Sequence, residues 1–219
     1  MQVLTPLADY SQVGSPALAL RRRRFQRFLQ LVERCEKPHL RILDIGGTEG
    51  FWDAMGFAES GHEIVLVNIF QQQSRHDNIT SIVGDACDMP QFEDGEFDIV
   101  FSNSVIEHLR NWEAQRRMAA EVRRLAPRFF VQTPNYRFPV EPHFLCPGFH
   151  YLPKSMRVWL IMHCQLGSYP RVEDRREAEE LVNEIRLLTR SEFQSLFPDA
   201  EIADERFYGL TKSFMAVKG

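Results

Sequence analysis

The sequence lacks long apolar runs, paired cysteines and any surplus of positive charge, and each shortage removes a class of protein. The longest apolar run of the second half, Val158 to Met162, is far short of the roughly 20 residues that span a bilayer. Arg21 to Arg24 follow Leu18 and Leu20, the reverse of a signal peptide's basic flank and apolar core, so neither a leader nor stable membrane insertion is expected. The 4 cysteines, Cys35, Cys87, Cys146 and Cys164, contain no CxxC pair. That argues against a zinc knuckle or a disulfide framework and for free thiols in a reducing, cytoplasmic setting. With 26 Lys and Arg against 30 Asp and Glu, the net charge of −4 has the wrong sign for a dedicated nucleic-acid binder. No internal repeat, heptad array or collagen-like period is visible.

What is present fits one domain. The chain has 219 residues, 44% hydrophobic and 26% charged, a composition able to build a single core. Residues 1–34 read as an N-terminal tail and a helix with Leu18, Phe25, Phe28, Leu29 and Val32 on one stripe. Short apolar runs follow at Arg41–Ile45, Glu63–Asn68, Ile79–Asp85, Phe97–Asn103 and Arg128–Thr133. Their continuous apolarity suits strands buried on both faces. Trp112, Met118, Ala119, Val122 and Leu125 recur at helical spacing before the last of them, and Pro127 stops that helix. This alternation predicts βαβ units on a parallel sheet.

The rhythm breaks after Thr133. Five of the 12 prolines lie between Pro134 and Pro153, interleaved with Tyr136, Phe138, Phe144, Phe149 and Tyr151. This stretch is too aromatic for a linker and reads as an ordered loop. Helices are expected at Lys154–Gln165 and Glu173–Leu188, so that residues 135–188 form an insertion covering the domain. A short helix, Arg190–Phe197, capped from Thr189 or Ser191, and two strands, Glu201–Tyr208 and Lys212–Val217, close the chain.

In open parallel sheets ligands sit at the carboxyl ends of the strands. There the first strand ends in Asp44-Ile45-Gly46-Gly47-Thr48-Glu49-Gly50-Phe51, a loop whose glycines let backbone approach a ligand closely. Dinucleotides and S-adenosylmethionine both use such turns. A G-x-G-x-x-G started at Gly46 needs glycine where Thr48 and Phe51 stand, and Glu49 sets a negative charge where a pyrophosphate belongs. S-adenosylmethionine carries a sulfonium and an ammonium instead, so the acidic residues are tolerable and Asp44 is useful.

Four segments, in order, resemble a class I S-adenosylmethionine-dependent methyltransferase of the broad methyltransferase-11-like group, which includes quinone-biosynthesis enzymes. They are Ile42-Leu-Asp-Ile-Gly-Gly47, Gly84-Asp-Ala-Cys-Asp-Met-Pro90, Phe97-Asp-Ile-Val-Phe-Ser-Asn-Ser104 and Val105-Ile-Glu-His-Leu109. The resemblance implies an α/β, Rossmann-like, doubly wound sheet of seven mostly parallel strands. Its order would be 3-2-1-4-5-7-6, with the last strand antiparallel and the cover inserted after strand five. It implies that Asp44, Gly46, Gly47 and Thr48 hold the methionine part of the cofactor, with S-adenosylhomocysteine as product. Asn68, with Ile69 after it, occupies the place of the usual acidic ribose ligand, a departure that weakens the contact. Asp85 would accept from the adenine amino group beside the Ala86 amide, and Asn103 would line the floor near the transferred methyl.

Methyl transfer from a sulfonium needs alignment and exclusion of water, and a hydroxyl acceptor also needs its proton removed. His108, just after strand four, and His143, in the insertion, are the candidate bases; each has the alternative of packing or satisfying loop backbone. Tyr10, Asn135, Tyr136, His143 and His150 are candidate acceptor contacts. Glu107-His108 resembles part of the E-x-x-E-H metal site of some relatives. Ser104 replaces its first glutamate, so no metal is expected, although Glu107, His108 and His143 could still gather an ion. Four consecutive arginines spread round a helix and make no single face, so Arg21–Arg24 read as a solvated run. The expected function is O-methylation of a small organic acceptor in an enclosed, aromatic-lined pocket, with a homodimer compatible. N- or C-methylation, an inert partner subunit and a nicotinamide-dependent reductase are the alternatives.

Overall fold

Residues 16–167 and 169–219 are described by a computed structural model. Pro16 opens α1 (Pro16–Glu33), where a missing backbone N–H costs nothing. The apolar runs form β1 (Arg41–Ile45), β2 (Glu63–Asn68), β3 (Ile79–Val83), β4 (Ile99–Asn103) and β5 (Arg128–Pro134), with α2 (Glu49–Met55) after β1 and α3 (Trp112–Leu125) before β5. A hairpin of β6 (Val140–Glu141) and β7 (Cys146–Pro147), then α4 (Lys154–His163) and α5 (Arg175–Glu184), make up the stretch after β5. The chain closes with α6 (Arg190–Leu196), β8 (Glu201–Phe207) and β9 (Leu210–Lys218).

The main sheet has the order β3-β2-β1-β4-β5-β9-β8. The first five strands are parallel, and β9 runs antiparallel between β5 and β8. With β8 and β9 as the sixth and seventh strands of this sheet, the expected fold class holds. Because side chains alternate across a strand, each run feeds two cores. Leu43, Val65, Val100 and Phe129 pack with Met118 and Val122 of α3 and with Phe193 of α6. Ile42, Ile64, Leu66, Phe101 and Phe130 pack with Phe25 and Phe28 of α1 and with Trp52 of α2. A third cluster, Phe144, Phe149, Val158, Ile161, Tyr169, Ala178, Leu181 and Val182, belongs to the stretch after β5.

Several expectations need correction. β3 ends at Val83, with the Gly84 amide donating to the Asn68 carbonyl at the end of the β2–β3 pairing, so Asp85 lies beyond the strand. β4 starts at Ile99, since the Phe97 amide donates to the Leu125 carbonyl and the Asp98 amide to that of Arg41. α4 stops at His163 and α5 at Glu184. Leu188, expected in the latter helix, instead bridges Asn135, and its carbonyl accepts from Tyr136 N–H. The chain thus leaves the sheet and rejoins it at one point. Thr189, not Ser191, caps α6, in a full capping box with Glu192. Arg24 is buried, not solvated. Its Nε lies 3.0 Å from Glu205 Oε1, and Nη1 donates to Asn103 Oδ1 at 3.1 Å.

Candidate active site

The glycine loop is shaped from beneath by one carboxylate. Asp44, on β1, is buried and accepts a hydrogen bond from Trp52 Nε1 at 2.8 Å. Burial raises its carboxyl to about 7 despite that bond, because no cation among the described residues pairs with it. A Cβ at position 47 would stand 1.7 Å from Asp44 Oδ2, so only glycine lets the loop lie on the carboxylate. Gly46 has φ +76°, and a Cβ there would meet Val105 Cγ2 at 2.4 Å. Thr48 precedes α2 without capping it, and its buried hydroxyl has no hydrogen-bond partner. Glu49 turns away. Burial opposes its ionisation, but Ser74 Oγ at 2.6 Å and Arg75 Nε at 2.7 Å hold its carboxyl down at about 2. The protein itself answers that charge, so the sequence argument against a diphosphate rests on the missing glycines.

Beyond the loop lie the ends of β2 and β3. Asn68 is buried, with Oδ1 accepting from Ile69 N–H at 2.8 Å and Nδ2 donating to the Gly47 carbonyl at 3.4 Å. Gln72 Nε2 donates to that carbonyl at 2.9 Å. Asn68 therefore braces the glycine loop, a task that needs a donor and that a carboxylate lacks. Ile69, Phe70 and Val83 are 64%, 43% and 54% exposed, leaving apolar surface bare at this edge. Asp85 stays at the surface, one oxygen accepting from Cys87 N–H at 2.9 Å, beside the half-buried Ala86.

The second centre grows from the turn after β4. Ser104 has φ +60°, sparsely populated for a side-chain-bearing residue, and its hydroxyl donates to Gln132 Oε1 at 2.8 Å. A 3-10 turn, Ile106–His108, follows. Glu107 is fully buried and Thr133 Oγ1 donates to it at 3.0 Å, while its other oxygen has no hydrogen-bond partner. Burial lifts its carboxyl to about 7, against the pull of His143. Burial, reinforced by His143, lowers His108 to about 3; its Nδ1 has no hydrogen-bond partner and lies 3.9 Å from Glu184 Oε1. The His108 and His143 rings meet edge to face with centroids 4.9 Å apart. Glu141 holds His143 with Oε1 2.6 Å from Nδ1, and its other oxygen accepts from the His143 and Phe144 amides. Burial pulls His143 down, but the Glu141 bond and the charges of Glu141, Glu107 and Glu184 outweigh it, so its pKa is raised. One ligand atom each from Glu107, His108 and His143 lies within 4.8 Å of the others. A cleft of about 490 Å³ lies elsewhere, between α6 and the β8–β9 pair, with Asn135 on its border.

A family model described as a methyltransferase domain matches residues 20–202. The chain belongs to the methyltransferase-domain family. Its sheet is that of the class I enzymes, and S-adenosylmethionine is its methyl donor. Solved structures agree on the fold. The magnesium protoporphyrin IX methyltransferase of Synechocystis, solved with S-adenosylmethionine, is 12% identical over 97% of this chain and 89% of its own, at a TM-score of 0.56. The PH0226 protein of Pyrococcus horikoshii is 21% identical over 90% of this chain and 89% of its own, at 0.54. A S-adenosylmethionine-dependent methyltransferase of Methanosarcina mazei is 14% identical over 85% of this chain and 94% of its own, at 0.51. No curated protein matches the sequence.

In this methyltransferase the expected acceptor contacts divide. Asn135 is buried, its Nδ2 donating to the Thr211 carbonyl at 2.7 Å and its Oδ1 accepting from Arg137 N–H. His150 Nε2 lies 2.7 Å from the Tyr136 carbonyl and so donates to it. Both side chains fasten the loop backbone. Tyr136 and Tyr151 are exposed and meet edge to face at 5.5 Å, whereas Phe144 and Phe149 turn inward, 4.5 Å apart. Tyr10 lies outside the described residues. Glu141, Trp52 and Gln72 were not singled out from the sequence, and Arg24 was read only as part of a solvated run. Glu141, two residues before His143, was the most findable, since that spacing lets a carboxylate turn back onto a ring. No described helix is long and apolar enough to cross a membrane.

Proposed function

We propose that this methyltransferase transfers a methyl group to a hydroxyl oxygen of a small organic acceptor at the ends of β4 and β5, in the cytoplasm, with His143 receiving the acceptor's proton. The Glu141–His143 pair carries the reading. With Nδ1 2.6 Å from a carboxylate oxygen, the neutral ring carries its proton on Nδ1 and its lone pair on Nε2, the tautomer a general base requires. His108 is the weaker base, since burial holds its ring neutral; it packs against His143 and sets the wall of the site. The stretch from Asn135 to Leu188 serves as the cover.

The residues around the glycine loop fit the cofactor. The unpaired Asp44 carboxylate favours a positive ligand, the Thr48 hydroxyl has a bond to give, and Ile69 leaves apolar surface for a flat ring. Gly46, Gly47 and Thr48 would hold the methionine part, Asn68 and Ile69 the ribose side, and Asp85 with the Ala86 amide the adenine. Asn103, held by Arg24, would flank the methyl path. When bound, the donor supplies an activated methyl carbon, and the chain's task is alignment and exclusion of water.

A second reading is favoured by the buried, unpartnered Glu107 oxygen and His108 Nδ1. Glu107, His108 and His143 could hold a divalent ion, which would polarise the acceptor oxygen in place of a base. Release of S-adenosylhomocysteine, measured over a panel of phenols, amines and carbon acids with and without chelator, separates the readings. Turnover of phenols that survives chelation and fails in His143→Asn supports the base. Turnover that needs added metal supports the ion, and turnover of amines alone refutes O-methylation.

A further inference from the structure

The ends of β8 and β9 contain an irregularity with a chemical consequence. Glu205 pairs with Ser213, but Arg206 pairs with Thr211, which leaves Lys212 as an extra residue in β9. Such bulges re-aim a side chain and gather next to active sites. Ser213 and Glu205 share a face, since Ser213 Oγ donates to Glu205 Oε2 at 2.8 Å. It is the face of Met215 and Ala203, which pack with α1. The extra residue sends Lys212 to that face too, where the charges that act on it are Glu205, Arg24 and Arg21. Arg21 and Arg24 stand one turn apart on α1 and so present together.

Lys212 thus faces two arginines, and among the described residues the carboxylate that acts on it is Glu205, which already accepts from Ser213 and pairs with Arg24. Lys212 is partly buried, and its ammonium makes no hydrogen bond or ion pair with any described residue. Burial, with Arg24 and Arg21 adding to it against Glu205, lowers its pKa. The corner also lies on the ligand edge. The Lys212 carbonyl accepts from Asn135 N–H, directly after β5, and Arg24 reaches Asn103 at the end of β4. In the sheet order, β5, β9 and β8 lie on the far side of β4 from β1 and its glycine loop.

We propose that Lys212, with Arg21 and Arg24 beside it, binds a carboxylate or phosphate on the methyl acceptor, so that the enzyme selects anionic acceptors. This rests on the methyltransferase reading above and adds the class of acceptor. A desolvated cation beside other cations gains from an anion, and an oxyanion there would anchor the acceptor away from the cofactor and leave its hydroxyl toward β4.

The test begins by titrating wild type with S-adenosylhomocysteine, then titrates the loaded protein with benzoate, phenyl phosphate and benzamide by calorimetry. The expected result is that at least one anion binds about tenfold more tightly than neutral benzamide. Lys212→Gln should erase that preference while leaving S-adenosylhomocysteine affinity unchanged, and Lys212→Arg should keep it. Benzoate against phenyl phosphate tells which oxyanion fits. An independent readout needs no variant: the favoured anion should shield Lys212 of wild type from trace acetylation, read by mass spectrometry. Equal binding of benzamide and both anions, or a preference that persists in folded Lys212→Gln, overturns the proposal. So does a Lys212→Gln defect in S-adenosylhomocysteine binding alone, which would assign the corner to the cofactor's own carboxylate. Failure of wild type to bind S-adenosylhomocysteine would instead overturn the reading beneath it.

Discussion

Replacing Asp44 with asparagine isolates the charge beneath the glycine loop. Asparagine keeps the shape and an oxygen for Trp52 Nε1–H but has no proton to lose. In the wild type the carboxyl rises from 3.8 to about 7 on folding. Between those values the folded state holds a proton that the unfolded chain has released. Stability therefore falls as pH rises through this window, and the contribution present below pH ~4 is gone above pH ~7. Three units correspond to about 4 kcal/mol, a large part of the 5–15 kcal/mol typical of a domain. Other titrating groups, Glu107 and His108 among them, are common to both proteins and cancel in the difference. Urea unfolding of both, from pH 4 to pH 8 without cofactor, should show Asp44→Asn gaining on wild type by about 4 kcal/mol across the range. Rearranged bonding of the amide adds only an offset independent of pH. A difference that stays flat with pH would refute the buried, unpaired carboxylate.

Trp52→Phe removes the only side-chain donor to Asp44 among the described residues and should cost about 1–3 kcal/mol, more at pH 8 than at pH 5. Denaturant unfolding checks it, and an equal loss at both values would contradict it. Glu141→Gln should lower turnover while S-adenosylhomocysteine affinity stays within about twofold, because it acts on His143 and not on the cofactor loop; equal losses in both would make the pair structural. Thr189→Ala breaks the capping box of α6 and should cost about 1 kcal/mol, read as a lower unfolding midpoint with unchanged cofactor affinity.

The sheet was legible because its strands are short, apolar and evenly spaced: Arg41–Ile45 and Glu63–Asn68 hold as read, and the closing pair fits the antiparallel finish. Helix ends were less so. Apolar periodicity alone carries α5 on to Leu188, whereas the carbonyl of that residue bonds Tyr136 N–H, a long-range pairing that no local pattern encodes. The same limit applies at Arg24. Four arginines in a row look solvated until Glu205, a distant part of the chain, supplies the partner that lets one of them be buried. The polar residues named as site candidates have hydrogen-bond partners that the sequence did not announce. Asn68 braces a loop, Asn135 fastens a strand end, and His150 bonds a carbonyl. What each carboxamide or ring is free to do depends on backbone groups brought near only by folding.

The central claim is that the turn after β1 receives a cationic methyl donor. Calorimetric titration of the purified protein with S-adenosylhomocysteine, and separately with NADH, tests it most directly. The account predicts saturable one-to-one binding of the former, weakened in Asp85→Ala, and no heat from the latter. Binding of NADH in preference to S-adenosylhomocysteine would contradict it.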